Sequence, residues 1–223
     1  MGVSGQLPYL GAAGVRCYHF ARSAEVTLGE STMLMLVAGL ILFFGPHSVA
    51  VVAPRWRSRV QMHLRAGSWK GLYSLISAAG LALMVFGFAR ARGTPIVLYV
   101  SPAWLHYVTW LLMLPVFPLL FAAYLPGRIR TATRHPMLAA VKIWATAHLL
   151  VNGTLTDLLL FGSFLIWAVV VRISLKRRVP MPVPSAPPSR YNDLIALLLG
   201  LALYALFIYR LHALIIGVPL LNR

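Results

Sequence analysis

The chain has 223 residues, of which 60% are hydrophobic and only 11% are charged, and its mean hydropathy is +0.80. Soluble domains carry roughly 25% charged residues, so this composition indicates an integral membrane protein. A net charge of +16 would suggest a nucleic-acid partner in a soluble chain. In a membrane protein, basic loops instead set the topology and contact anionic lipid headgroups, so we expect a lipid partner and no nucleic acid.

Acidic residues and cysteine are scarce. The four acidic residues are Glu25, Glu30, Asp157 and Asp193. So few carboxylates argue against a paired-carboxylate hydrolase, a di-metal carboxylate site or a cation pump. The single cysteine, Cys17, excludes an internal disulfide and a CxxC redox motif.

Apolar segments begin after a polar N-terminal stretch. Residues 1–32 lack the compact apolar core of a signal peptide and are predicted to be a disordered tail, whereas residues 33–220 are predicted to form one transmembrane domain. A membrane-spanning helix needs about 20 residues. Six segments approach this length, the fourth and fifth of them short: 33–53, 70–90, 104–124, 137–152, 157–172 and 193–211. They predict an all-α polytopic bundle of about six transmembrane helices. Only the turn 152–156 separates the fourth and fifth segments, which predicts a tight antiparallel hairpin with Thr154 or Thr156 capping the fifth helix.

Basic residues are distributed unevenly between the connecting segments. Segments 54–70, 125–142 and 172–190 hold fourteen of the twenty Lys and Arg residues. The positive-inside rule therefore places these three segments in the cytoplasm and both termini outside.

Three histidines lie in or beside the apolar segments. His47 follows Gly45-Pro46 in the first segment, and His148 lies four residues after Trp144 in the fourth. Ionisable side chains inside a membrane are costly, so each is a candidate functional residue, although an interhelical hydrogen bond would also explain it. Arg134-His135 precedes Pro136 at the predicted start of the fourth helix, where the pair either marks that start or contacts an anionic group. Interfacial or loop positions are predicted for the other histidines, including His212.

An ordered series of short motifs resembles the NnrU family of membrane proteins. The motifs are Gly39-Leu40-Ile41-Leu42-Phe43-Phe44-Gly45-Pro46-His47-Ser48, Trp69-Lys70-Gly71-Leu72-Tyr73-Ser74, Leu125-Pro126-Gly127, Arg134-His135-Pro136-Met137, Trp144-Ala145-Thr146-Ala147-His148-Leu149-Leu150-Val151-Asn152-Gly153, Phe161-Gly162-Ser163-Phe164 and Leu211-His212. The resemblance covers residues 33–220. The family includes bacterial proteins associated with denitrification genes, and the similar 15-cis-zeta-carotene isomerase, a haem b enzyme.

The resemblance implies a haem b site. The isomerase's two histidine ligands correspond to His47 and His148, and its alternative cysteine ligand corresponds to Ala145. From a rise of about 1.5 Å per residue, each histidine should lie within roughly 6 Å of its helix midpoint, on opposite sides. Tilt or the Pro46 kink must absorb the resulting depth offset of about 12 Å. His135, with Arg134 beside it, is the fallback on the cytoplasmic side.

Three functions follow from these observations. The first is a haem-binding inner-membrane protein acting in or beside nitrogen-oxide respiration. The second is a carotenoid cis–trans isomerase, in which ferrous haem acts as a Lewis acid on an apolar polyene. The third is a cofactor-free membrane assembly factor, so whether the chain is an enzyme stays open. Membrane methyltransferases of the isoprenylcysteine type share Arg134-His135-Pro136, but Leu138 and Ala140 replace the aromatic residue and glycine expected next.

Overall fold

A computed structural model describes residues 12–63, 66–177 and 184–221. These residues form α-helices, one π-helix and no β-strand, which confirms the predicted all-α class. The helices are α1 (Ala12–Val52), α2 (Pro54–His63), α3 (Ala66–Ala91), α4 (Leu105–Met113), α5 (Val116–Ala122), α6 (Arg128–Thr133), α7 (Pro136–Val151), α8 (Leu155–Leu175), α9 (Asn192–Leu206), the π-helix (Phe207–Leu211) and α10 (His212–Ile216).

Five stretches of the described chain are long and apolar enough to cross a membrane, and α7 is a shorter apolar helix. The five stretches are Ser31–Val49, Ser68–Ala91, Leu105–Ala122, Leu155–Leu175 and Asn192–Ile216. Together with α7 they coincide with the six predicted segments. The third is broken between α4 and α5, where Pro115 lacks the N–H that a continuous helix would use. The last extends beyond its predicted end at residue 211.

Helix α1 begins at Ala12, so helical backbone extends through most of the segment that we predicted as a tail. This stretch holds Gly14 and Gly29 but no proline, and most of its other residues tolerate a helix. Residues 1–11 lie outside the described residues. The basic loops also contain the short helices α2 and α6, which the hydropathy pattern did not predict.

Glycines bring α1 and α3 into backbone contact. A Cβ atom at Gly39 would lie 2.5 Å from the Met84 nitrogen, and one at Gly80 would lie 2.6 Å from the Phe43 nitrogen. One at Gly87 would lie 2.6 Å from the nitrogen of Leu36. Small residues let helix backbones approach closely in a membrane, so these glycines define the α1–α3 seam.

Helices α7 and α8 form the predicted tight hairpin. Thr154 is the N-cap of α8, and its hydroxyl accepts a hydrogen bond from the Asp157 backbone N–H at 3.2 Å. The Asp157 carboxylate accepts in turn from the backbone N–H of Thr154, which completes a capping box. Asp157 also lies at the positive end of the α8 dipole. Of the two predicted caps, Thr154 is the one that the structure uses.

Hydrogen bonds tie the connecting segments together at each end of the bundle. At one end, backbone hydrogen bonds join residues 96–99 to Gly153 and Leu155 at the turn between α7 and α8. At the other end, the Asp193 carboxylate accepts from the backbone N–H groups of Arg128 and Ile129 at 2.7 and 3.0 Å. The first of these is the end predicted to face outside and the second is the predicted cytoplasmic end. The orientation itself stays a prediction.

Candidate functional site

His148 lies in the last turn of α7, among aromatic rings. Its ring stacks on Phe161 of α8, with centroids 4.6 Å apart, and lies 5.3 Å from Trp144. Its Nδ1 atom lies 2.8 Å from the Trp144 carbonyl oxygen. A carbonyl oxygen can only accept, so Nδ1 carries the hydrogen and Nε2 keeps its lone pair. Histidines that bind metals are typically held in this way.

The carbonyl groups around His148 are hydrogen-bonded from neighbouring segments. The Ser101 hydroxyl donates to the Leu150 carbonyl at 2.6 Å. The Tyr99 hydroxyl contacts the carbonyl groups of Leu149 and Asn152. Burial raises the pKa of Tyr99, and the negative charge of Asp157 acts in the same direction. Tyr99 therefore remains protonated and able to donate. The last carbonyl groups of a helix have no partner within it, so these bonds hold the end of α7 in place.

One side of His148 borders an apolar cavity of about 230 Å³. The cavity runs along α7 from Ala140 to His148, a distance of about 12 Å at the rise of a helix. Its other walls are aliphatic, aromatic and thioether side chains, among them Met113, Phe117 and Phe207. An elongated apolar cavity with few polar groups is typical of a small-molecule or cofactor site.

His212 borders the same cavity from the C-terminal helix. It follows directly after the π-helix Phe207–Leu211, and π-helical turns occur frequently at functional sites. Its Nδ1 donates to the Val218 carbonyl at 2.7 Å, so Nε2 again keeps its lone pair. The chain reverses there at Gly217, whose φ of 78° favours glycine. The sequence predicts an interfacial or loop position for His212. The structure places it four residues before the end of the stretch Asn192–Ile216, with its side chain at the cavity, which the sequence does not indicate.

His47 lies in a second aromatic cluster near the end of α1. Its ring stacks on Phe43 at 4.2 Å and contacts Tyr73 at 5.1 Å and Trp167 at 6.0 Å. Its Nδ1 donates to the Phe43 carbonyl at 2.7 Å. The Trp167 indole N–H is buried without a hydrogen-bond partner in the described part of the protein. The cluster around His47 therefore contains the available Nε2 lone pair of His47 and the unpaired indole N–H of Trp167.

The described structure does not bring the His47 and His148 rings into contact. They are joined in series through Phe43, Phe164 and Trp144, with successive centroids 4.2, 5.6, 5.3 and 5.3 Å apart. His47 lies five residues before the end of α1, and His148 lies three residues before the end of α7 at the opposite end of the bundle. His47 and His148 therefore lie at different depths in the bundle, as expected. A haem bound by both histidines would have to separate the rings of Phe43, Phe164 and Trp144.

Arg134 and His135 lie at the start of α7, at the opposite end of this helix from His148. His135 is the N-cap of α7 and precedes His148 by thirteen residues, about 20 Å along the helix. Burial lowers the pKa of His135, and the positive charges of Arg172 and Arg134 lower it further. Arg134 is exposed and has a φ of 60°, in the left-handed region. Arg134, His135 and the nearby Arg172 form a cationic surface that suits an anion. Because His135 lies about 20 Å from His148 along α7, the two histidines cannot coordinate the same metal ion.

The donor set around the cavity fits a haem better than a bare metal ion. Among the described residues, no three His, Cys, Asp or Glu side chains form a metal-binding group. A porphyrin supplies its own nitrogen ligands to iron and needs only axial ligands from the protein. His148 offers an available imidazole nitrogen beside apolar and aromatic walls. The donor chemistry of the residues present therefore suits a haem, which would need more space than the cavity of about 230 Å³ provides.

Comparison with known proteins identifies a family. The family model described as NnrU protein matches residues 35–220, most of the chain. No curated protein and no solved structure matches the chain.

Proposed function

Since the chain belongs to the NnrU family, as its motifs predicted, we propose that it is an inner-membrane haem protein that binds a b-type haem at His148. The proposed role lies in or beside nitrogen-oxide metabolism. Its multi-pass membrane character is plain from five spanning-length stretches in the described residues. The haem, the particular membrane and the metabolic role are parts of the proposal.

One observation carries the proposal. The His148 imidazole borders an apolar cavity inside the membrane bundle, and its Nδ1 hydrogen is held by the Trp144 carbonyl. An ionisable side chain in that position is costly unless it has a partner, and iron coordination would provide one. The resemblance supplies haem as the candidate cofactor and His47 as the second ligand, whereas the geometry offers a different second ligand, argued below.

Bound haem would supply redox chemistry and a coordination position at iron. The protein's own residues have three tasks in this proposal. His148 would bind the iron and Trp144 would fix the tautomer of its ring. The apolar walls, including Met113 and Phe117, would exclude water and take up the apolar faces of the macrocycle. Because those walls are neutral, they would leave the axial ligands as the main control of the reduction potential.

Purification with haem supplementation tests this proposal. The protein should contain close to one b-type haem per chain and show a Soret band that shifts on reduction. His148→Ala should lose most of that haem, whereas His106→Ala should retain it, because His106 lies outside the cavity lining. A wild-type protein that folds without binding haem would overturn the proposal and favour the cofactor-free assembly factor.

Nitrogen-oxide metabolism is tested separately in the source cell. Deleting the gene should slow anaerobic growth on nitrate or nitrite, and wild-type protein should restore growth better than His148→Ala. Equal anaerobic growth of the deletion and parent strains would remove this role and leave the haem site untouched.

A carotenoid cis–trans isomerase is the second candidate function. The observation that favours it is the elongated, apolar and aromatic cavity, whose chemistry suits a polyene. Reduced protein in liposomes containing a cis-carotene should produce the trans isomer, and His148→Ala should not. Unchanged isomer composition would reject the isomerase.

Arg134 and His135 are proposed to contact the phosphate of an anionic lipid at the cytoplasmic surface. The arginines beside His135, including Arg172, support this because they surround it with positive charge. The protein should bind more phosphatidylglycerol than phosphatidylcholine in mixed nanodiscs, and Arg134→Gln should reduce that preference. An unchanged preference in Arg134→Gln would reject this contact.

A further inference from the structure

We infer that His212, rather than His47, is the partner of His148 in binding the metal at the cavity. This inference rests on the proposed haem function and names the second axial ligand of the same site. Both imidazoles border one cavity, that of His148 from α7 and that of His212 from the start of α10. His47 has no comparable position, because three aromatic rings separate it from His148 in the series of ring contacts.

The two histidines share one local arrangement. In each, Nδ1 donates to a backbone carbonyl, that of Trp144 for His148 and that of Val218 for His212. Both rings therefore keep the Nε2 lone pair for a ligand, and both tautomers are fixed before any ligand arrives. Two imidazoles with fixed tautomers at one cavity would supply the two axial nitrogen ligands of a bound haem.

The backbone structure on both sides of His212 positions its ring. The π-helix Phe207–Leu211 adds a residue to the helical turn directly before His212, which shifts the face on which the imidazole lies. After His212, the chain turns at Gly217 so that the Val218 carbonyl reaches back to the ring. A helix end that only faces lipid needs neither a π-helix nor a turn that returns a carbonyl group to a histidine ring.

A bound haem would require a larger cavity than the structure contains. Its volume of about 230 Å³ is below the range of about 300–1,000 Å³ that is usual for enclosed organic ligands. The C-terminal segment is held near the cavity by the Phe117–Phe207 ring contact at 5.1 Å and by Arg92, which donates to the Ile216 carbonyl at 3.0 Å. Haem binding would therefore require the C-terminal segment to move outward against these contacts.

Visible and electron paramagnetic resonance spectra of the full-length, haem-loaded protein test the inference. Wild-type ferric protein should be low-spin with two nitrogen axial ligands. His212→Ala should become mainly high-spin, and added imidazole should restore the low-spin spectrum. His47→Ala should keep the wild-type spectrum, as should the control His106→Ala, because His106 lies outside the cavity lining.

A second variant covers the case in which His212→Ala does not fold. His212→Met keeps an iron ligand but replaces imidazole with a thioether, which should raise the reduction potential measurably. A low-spin spectrum in His212→Ala together with a high-spin spectrum in His47→Ala would overturn the inference and restore the His47 pairing. A wild-type protein without haem would instead refute the proposed function on which the inference rests.

Discussion

The hydroxyl of Thr109 donates a hydrogen bond of 3.0 Å to the carbonyl oxygen of Ala147, one residue before His148. Both residues are buried, and the bond joins α4 to the last turns of α7. A hydroxyl without a partner is costly in an apolar interior, so this pairing fixes the rotation of α7 relative to α4. The direction of the His148 ring depends on that rotation.

Thr109→Val should lower the free energy of unfolding by about 0.5–1.5 kcal/mol, because it removes one buried hydrogen bond and nearly conserves volume. Unfolding by denaturant in detergent micelles measures this change. Thr109→Ser keeps the hydroxyl and should retain more stability than the valine variant. Equal stabilities of the valine variant and the wild type would show that the bond does not fix α7.

Tyr99→Phe should loosen the end of α7. The change removes the hydroxyl that donates to the carbonyl groups of Leu149 and Asn152. Amide hydrogen exchange in residues 148–154 should become faster, corresponding to a loss of about 1 kcal/mol of local stability. Tyr107→Phe is the control, because the Tyr107 side chain is largely exposed and should leave that exchange unchanged. The same protection in both variants would contradict this prediction.

Gly80→Ala should destabilise the α1–α3 seam by about 1–3 kcal/mol, the usual cost of overpacking. Its new Cβ would lie 2.6 Å from the Phe43 nitrogen and 3.0 Å from the Gly39 oxygen, so the backbones would have to separate. Gly71→Ala on the same helix meets nothing within 4 Å and is the matched control. Thermal unfolding in micelles should distinguish the two variants, and equal melting temperatures would reject the seam.

Stability should decrease as the pH falls below the ordinary histidine pKa of about 6.5. Burial and the charges of Arg172 and Arg134 lower the pKa of His135 in the folded protein, so the unfolded chain binds a proton in a range where the folded chain does not. The stability is therefore complete above that value and is lost towards the lowered folded pKa. His135→Gln should show a smaller decrease in melting temperature between neutral and mildly acidic pH. An identical decrease in both proteins would assign it to other groups.

Hydropathy and charge patterns predicted the six membrane segments, because each segment is a long apolar run between basic or turn-forming residues. The same patterns predicted the α7–α8 hairpin from the short turn before Thr154. They missed the break at Pro115, since one proline changes the mean hydropathy of a long apolar run only slightly. They also missed α2 and α6, which are too short and polar to show a membrane period.

The sequence makes His148 a candidate and predicts an interfacial or loop position for His212. The last predicted segment ends at residue 211, one residue before His212, whereas the helical structure continues through the π-helix to Ile216. The helix directions could have indicated which histidines share an end of the bundle. His148 lies near the end of α7 and His212 near the end of the stretch Asn192–Ile216. His47 lies near the end of α1, at the other end of the bundle. The direction of the His212 side chain after the π-helix, by contrast, cannot be predicted from a hydropathy pattern.

The glycines of the α1–α3 seam also bear on how the protein is made. Gly39, Gly80 and Gly87 let the two helices associate through backbone surfaces, without side chains from the rest of the bundle. In lipid, where apolar side chains gain little from leaving their surroundings, such close packing is itself a main cause of helix association. The α1–α3 pair can therefore assemble during synthesis, as soon as both helices have entered the bilayer. The later helices would then insert beside a pair that is already formed, with α8 contacting both of its members.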